Sequence, residues 1–303
     1  MSAEPAYARP VEVTPGVHAY IQPQGGWCVS NSGVISGPDV TVVVDTLATE
    51  QRALALRAFV DQVSPSPNRL LVNTHHHGDH TFGNHVFGQQ PIIAHARARE
   101  ESAEAGLALT KLWPDVEWGD VRVTLPTVTF TERMTLHAGE RRVELIHVGI
   151  AHTTNDVVVW LPDERVLFSG DVLMSAAAPF SLFGSVAGTI TAIGTLRELE
   201  PVTVVCGHGP VGGTELLERN IAYLEWVQEL AAEGVQSGRS PLEVARESGS
   251  GQFADLIDAE RLVGNLHRAY AELSGAARGA DLDVLTTFAE MVAYHGEHPA
   301  CFA

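Results

Sequence analysis

The chain is poor in several things at once. Its 303 residues include only three cysteines, Cys28, Cys206 and Cys301, widely scattered. They offer no disulfide framework and suit free thiols in a reducing compartment. Basic side chains are few: 19 Lys and Arg stand against 37 Asp and Glu, a formal net charge of −18, with a pI near 5.1. So acidic a surface repels phosphate backbones, which argues against nucleic-acid partners and nuclease activity. No apolar run approaches about 18 residues, so no membrane span is expected. Met1 to Pro10 lacks a basic segment followed by an apolar one, so no signal peptide is expected and the expected compartment is the cytoplasm. Low-complexity segments are also missing.

What remains is an ordinary globular composition. Hydrophobic residues make up 45% and mean hydropathy is +0.05, enough for one large core or a core with a small appendage. One stretch stands apart: Asn73-Thr74-His75-His76-His77-Gly78-Asp79-His80. His75, His77, Asp79 and His80 place four candidate metal ligands in six positions. Arg69 to Val72 before them reads as a buried strand, and Gly83-Asn84 after them as a turn. The ligands therefore sit on a loop at the carboxyl end of a strand, a common place for chemistry on a rigid scaffold. His75 and His77, two apart, point the same way in extended backbone, and His76 points away. Imidazole with carboxylate suits zinc and its first-row neighbours. His76, His85 and His95 are read as packed or exposed rather than ligating.

Three more candidates each follow a strand-like run: His152 after Val143 to Val148, Asp171 after Val166 to Phe168, and His208 after Val202 to Val205. Asp45 closes Val40 to Val44 and reads as a helix-cap or turn aspartate.

Around these, strands are expected at 11–14 and 17–21, 31–35 and 40–44, 69–72, 91–94, 121–130, 141–148, 156–161 and 165–168. Helices are expected at 49–63, 96–109, 186–199, 216–230, 260–273 and 282–294. Residues 1–235 are expected to form the catalytic domain and 236–303 a helical extension that caps the pocket or forms a dimer contact. His295 and His298, near the terminus, are expected to be inert. Trp113 and Trp118 lie in a Pro- and Gly-containing loop. That placement fits either a pocket wall or a loop pinned by buried aromatics.

The order and spacing of these residues resemble the metallo-β-lactamase superfamily over roughly residues 10 to 230. The resemblance implies an α+β fold, a four-layer αββα sandwich with a dinuclear site at one edge. It assigns His75, His77 and His152 to one metal, Asp79, His80 and His208 to the other, with Asp171 bridging and Asp45 steadying the loop. Two zinc ions are implied, with Mn or Fe as alternatives since the bridging ligand supplies oxygen. Asp79 would orient the attacking water or accept its proton. The zinc β-lactamases carry cysteine where this chain has Asp171, so thioester hydrolases and lactonases are nearer in that respect.

Within the superfamily, Gly25 to Asn31 and Leu107 to Phe130 look similar to second-ring cyclases of aromatic polyketide pathways. That likeness implies a dinuclear cyclase and thioesterase. It would close a ring by aldol addition with loss of water and release the product from its thioester. A general hydrolase of thioesters or lactones is the alternative. Trp27, Trp113, Trp118, Phe180 and Phe183 would line an aromatic mouth. The substrate would be a polyketide or thioester carried on an acyl carrier protein, which Arg97, Arg99, Arg141 and Arg142 could dock. A homodimer is also an expectation.

Overall fold

The structure is a computed structural model that describes residues 8–23, 28–114 and 116–296. Its first half forms β1 (Arg9–Thr14), β2 (Val17–Ile21), β3 (Ser32–Ser36), β4 (Thr41–Val44), α1 (Glu50–Val63), β5 (Arg69–Val72), α2 (Gly78–Thr81), β6 (Ile92–His95), α3 (Ala96–Ala105), α4 (Ala108–Leu112) and β7 (Val128–Phe130). These seven strands make one sheet in sequence order, antiparallel from β1 to β4 and parallel from β4 to β7. The second half forms β8 (Arg133–Ala138), β9 (Arg141–His147), β10 (Val157–Leu161), β11 (Val166–Met174), α5 (Val186–Glu198) and β12 (Thr203–His208), a five-stranded sheet ordered β12-β11-β10-β9-β8. Four helices follow: α6 (Glu215–Ser237), α7 (Pro241–Ser248), α8 (Arg261–Leu273) and α9 (Val284–His295).

Side-chain alternation sets the layers. On β4, Val42 and Val44 face the second sheet, meeting Val157, Val159 and Leu161 of β10 and Phe168 of β11. Val43 points the other way, toward Leu56 and Val60 of α1. On β10, Val158 and Trp160 turn outward to Ile193 of α5 and Leu224 of α6. Three apolar interfaces result, helix on sheet, sheet on sheet and sheet on helix. They make the expected αββα sandwich.

The C-terminal helices are not a loose appendage. Val244, Leu262, Leu266 and Met291 belong to the same buried cluster as α5 and α6. Helix α6 runs through residue 235, where a domain boundary was expected. No helix among the described residues is long and apolar enough to cross a membrane.

Two expected elements differ. The helix expected from 96 to 109 breaks at Gly106, whose φ of +56° and amide bond to Ser102 O end α3. The strand expected from 121 to 130 shrinks to β7, because β6 pairs with it only through Ile93 to His95. Pro126 and the residues before it have no strand beside them.

Candidate metal centre

The strands deliver their carboxyl ends to one edge of the sandwich. β4 leads into Asp45, β5 leads into His75 to His80, and the β9–β10 connection carries His152. Asp171 lies on β11 and His208 closes β12. The edge is tied across the two sheets. Asn31 donates from Nδ2 to Cys206 O (3.0 Å) and Gly209 O (2.7 Å), and its amide donates to Gly207 O (2.6 Å).

Two groups of ligand atoms converge there: His75, His77, His152 and Asp171, and Asp79, His80, Asp171 and His208, each within 4.8 Å. Asp171 belongs to both. Its Oδ2 is 3.4 Å from His152 Nε2 and 3.3 Å from His208 Nε2, and its Oδ1 is 3.2 Å from His80 Nε2. Asp79 Oδ2 lies 3.3 Å from His208 Nε2 and 3.4 Å from His80 Nε2. Ligands of a tetrahedral zinc, each about 2.0–2.1 Å from the ion, are separated by roughly 3.3 Å, so these spacings fit.

The tautomers fit as well. Asp45 accepts from His80 Nδ1 (2.8 Å), from Thr74 N (2.8 Å) and from Thr74 Oγ1 (2.7 Å). Thr74 Oγ1, its proton given to Asp45, accepts from His75 Nδ1 at 3.0 Å. His152 Nδ1 donates to Phe180 O. The rings of His75, His80 and His152 thus spend their Nδ1–H outward and turn an Nε2 lone pair inward, the arrangement that metal-binding histidines need. His75 Nε2, His80 Nε2 and Asp171 Oδ1 are buried and have no hydrogen-bond partner, which suits atoms that would donate to cations, His75 in one group and His80 in the other. The cap of α1 is Thr49, and Asp45 supports the ligand loop instead.

The electrostatics agree. Burial and neighbouring imidazoles hold His75 and His77 well below the usual imidazole range, which keeps their lone pairs available. Burial pushes His208 down, but the Asp171 and Asp79 carboxylates outweigh it and carry it up to about 9. Burial alone would raise Asp79 and Asp171, yet the surrounding histidines hold both well below the carboxylate range. Two buried anions amid imidazoles form a binding site for divalent cations. Gly207 makes room for the shared carboxylate: a Cβ there would stand 1.8 Å from Asp171 Oδ1.

Above the centre lies a cavity of about 530 Å³, lined mostly by apolar side chains. Its walls come from three places. α3, α4 and the loop after them supply Leu109, Leu112, Trp113 and Val123, and the stretch after β11 supplies Phe180 and Phe183. The C-terminal helices supply Val284, Leu285, Phe288 and Met291. Phe183 stands edge-on to His77, 5.2 Å between centroids.

The expected aromatic mouth is thus partly redrawn. Trp113, Phe180 and Phe183 line the cavity. Trp118 is not on its wall: it packs against Phe82, which is, and its indole N–H donates to Trp113 O. Trp27 lies outside the described residues. His76 lines the cavity but is turned from the ligand groups, because Asn155 bonds both its amide (3.1 Å) and its Nδ1 (3.0 Å). His85 bonds Phe82 O, and His95 caps α3. His295 was expected to be inert but pairs at 3.4 Å with Glu260, a buried carboxylate on the cavity wall. His298 is outside the described residues. The four arginines do not form one patch. Arg97 and Arg99 begin α3 at the site end, whereas Arg141 and Arg142 begin β9 at the opposite end, engaged by Glu164 and Glu144.

Sequence reasoning missed Asn31, Thr74 and Asn155, which hold ligands or strands without ligating. The wall contributed by α9, with Arg261 of α8, agrees with the expectation that the C-terminal extension caps the pocket.

Residues 25–208 match the family model described as the metallo-beta-lactamase superfamily. A metallo-beta-lactamase type 2 from Bacteroides fragilis is 26% identical over 202 residues, 64% of this chain and 75% of that protein. A hydroxyacylglutathione hydrolase from Rhodobacter capsulatus is 30% identical over 171 residues, 56% of this chain and 57% of that protein. Among solved structures, a metallo-beta-lactamase from Pontibacter korlensis superposes with a TM-score of 0.59 at 22% identity, covering 72% of this chain and 99% of that one, a likeness of fold.

Proposed function

The chain belongs to the metallo-beta-lactamase superfamily, and from that premise we propose that it is a dinuclear metal-dependent hydrolase of acyl thioesters or lactones carrying a bulky apolar acyl group. One observation carries the reading: seven ligand side chains converge, and five of them, His77, Asp79, His152, Asp171 and His208, form the floor of a mostly apolar cavity of about 530 Å³. The carboxylate that Asp171 offers to both ligand groups and the likeness to hydroxyacylglutathione hydrolases support thioester chemistry. Two zinc ions would be held by His75, His77, His152 and by Asp79, His80, His208, with Asp171 shared. When bound, such ions make water a nucleophile near neutral pH and polarise a carbonyl oxygen.

The chain's own residues do the rest. Asp79 stands at the cavity floor with its carboxylate held anionic, placed to orient water and accept its proton. Phe180, Phe183, Trp113 and Phe288 exclude bulk water and hold an apolar acyl body over the ligands. Asp45 and Thr74 fix the rings of His80 and His75, so no reorganisation is needed at reaction.

A second reading is the cyclase and thioesterase of an aromatic polyketide. The cavity's aromatic wall favours it, because flat fused rings bury well against Phe and Trp. In that case the same centre would stabilise an enolate for ring closure before thioester release. Assay of the zinc-loaded chain on simple acyl thioesters, lactones and a bicyclic poly-β-ketone thioester decides. Hydrolysis of the first two supports the hydrolase, ring closure of the third supports the cyclase, and no turnover of any opposes both.

A further inference from the structure

Helix α8 carries a buried polar stripe that the mechanism above does not use. Arg261, Asn265, Arg268 and Glu272 recur at i, i+4, i+7 and i+11, one face of a helix. All four bond the backbone of a single stretch, 178–187. Arg261 Nη1 donates to Ala178 O (3.0 Å), Asn265 Nδ2 to Pro179 O (2.7 Å) and Arg268 Nε to Leu182 O (2.9 Å). Glu272 accepts the amides of Val186 (3.0 Å) and Ala187 (3.2 Å) at the start of α5. Asn265 is 0% exposed and Arg268 2%.

The middle of this stretch holds the orienting contact of a candidate ligand. Ser181 N donates to Asn265 Oδ1 at 2.8 Å. That amide belongs to the same rigid peptide plane as the Phe180 carbonyl, and the two point in opposite directions. The Phe180 carbonyl accepts from His152 Nδ1. Asn265, one peptide plane and the His152 ring therefore form a continuous hydrogen-bonded line, each link polarising the next.

We propose that α8 is a positioning clamp for the metal centre, with Asn265 setting the His152 ring through the 180–181 peptide and Arg261 and Arg268 fixing the flanking carbonyls. The C-terminal helices then serve His152, while Asp45 holds the ring of His80 directly and that of His75 through Thr74. The proposal rests on the metal-centre reading. A wild-type chain that takes up no metal would overturn that reading, whereas the clamp is tested by differences among variants that bind metal.

The test is zinc titration against a competing chelator, with cobalt absorption as a second readout, on full-length Asn265→Ala, Arg261→Met and Asn220→Ala. Asn220 is a matched control. It is buried and bonds the backbone of Met174 both ways, at 2.9 Å each, without contacting the 178–187 stretch. Folding of each variant is checked by circular dichroism. Asn265→Ala should weaken one of two zinc equivalents about ten- to a hundredfold, as loss of an orienting contact does, and leave the other within about threefold. Arg261→Met should weaken the same equivalent by a smaller factor, and it carries the test should Asn265→Ala not fold. Asn220→Ala should keep the wild-type ratio of the two affinities. Wild-type affinity for both equivalents in the folded clamp variants would overturn the proposal. So would the same selective loss in Asn220→Ala.

Discussion

Asp45 Oδ2 lies 2.8 Å from His80 Nδ1 in a site where both side chains are buried. The bond settles which nitrogen of His80 faces inward, and Asp45 spends its other acceptor on the Thr74 amide. Replacing Asp45 by Asn puts an N–H donor against an N–H donor or forces the ring to its other tautomer. We expect Asp45→Asn to weaken metal binding by about ten- to a hundredfold and to lower kcat with little change in KM. Chelator competition and steady-state kinetics check both.

Gly207→Ala tests the crowding at the shared carboxylate. Its Cβ would meet Asp171 Oδ1 at 1.8 Å, so the carboxylate must move. Since Asp171 serves both groups, both metal equivalents should be lost together and activity should fall by about a hundredfold or more. Loss of only one equivalent in elemental analysis would argue against a shared ligand.

The cavity assignments separate Phe288 from Trp118. Phe288 lines the cavity and Trp118 does not. Phe288→Ala should raise KM for apolar substrates about tenfold with kcat nearly unchanged. Trp118→Ala should leave KM within about twofold and cost about 1–2 kcal/mol of stability. Denaturant titration and kinetics on the pair distinguish the two roles.

His95 gives a pH dependence outside the centre. Burial, and then the His147 ring stacked 4.0 Å away, lower its pKa from 6.5 to about 4. Its Nδ1 accepts the Arg97 amide at 3.3 Å as the cap of α3, so protonation would break the cap and place charge at a helix N-terminus. The unfolded chain binds the proton more readily, so this stability is present above pH 6.5 and lost as pH falls toward 4. Unfolding measured from pH 7 to 4 should show about 1–2 kcal/mol less loss in His95→Asn, which keeps a capping side chain.

The ligand loop was legible because its grammar is local: an apolar strand, then imidazoles two apart, then a carboxylate and another imidazole. The layers came from family resemblance instead, because Val42, Val43 and Val44 are all apolar and only the structure shows that they face alternate sides. That His152, Asp171 and His208 would meet this loop came from family resemblance, because no spacing rule links residues a hundred positions apart. The α8 clamp left no signal of that kind. Asn265 and Arg268 bond backbone groups, which every residue has, so nothing in the partner stretch marks it. Trp118 was misplaced because a tryptophan behind a wall and one on it read alike. The short β7 reflects its neighbour's length, which its own residues do not encode.

Elemental analysis of the purified, active full-length chain, repeated after chelation and reconstitution, bears most directly on the centre. We expect two equivalents of divalent metal per chain, loss of activity as they are removed, and recovery on restoring them. A chain that stays fully active with less than about a tenth of an equivalent bound would contradict the account.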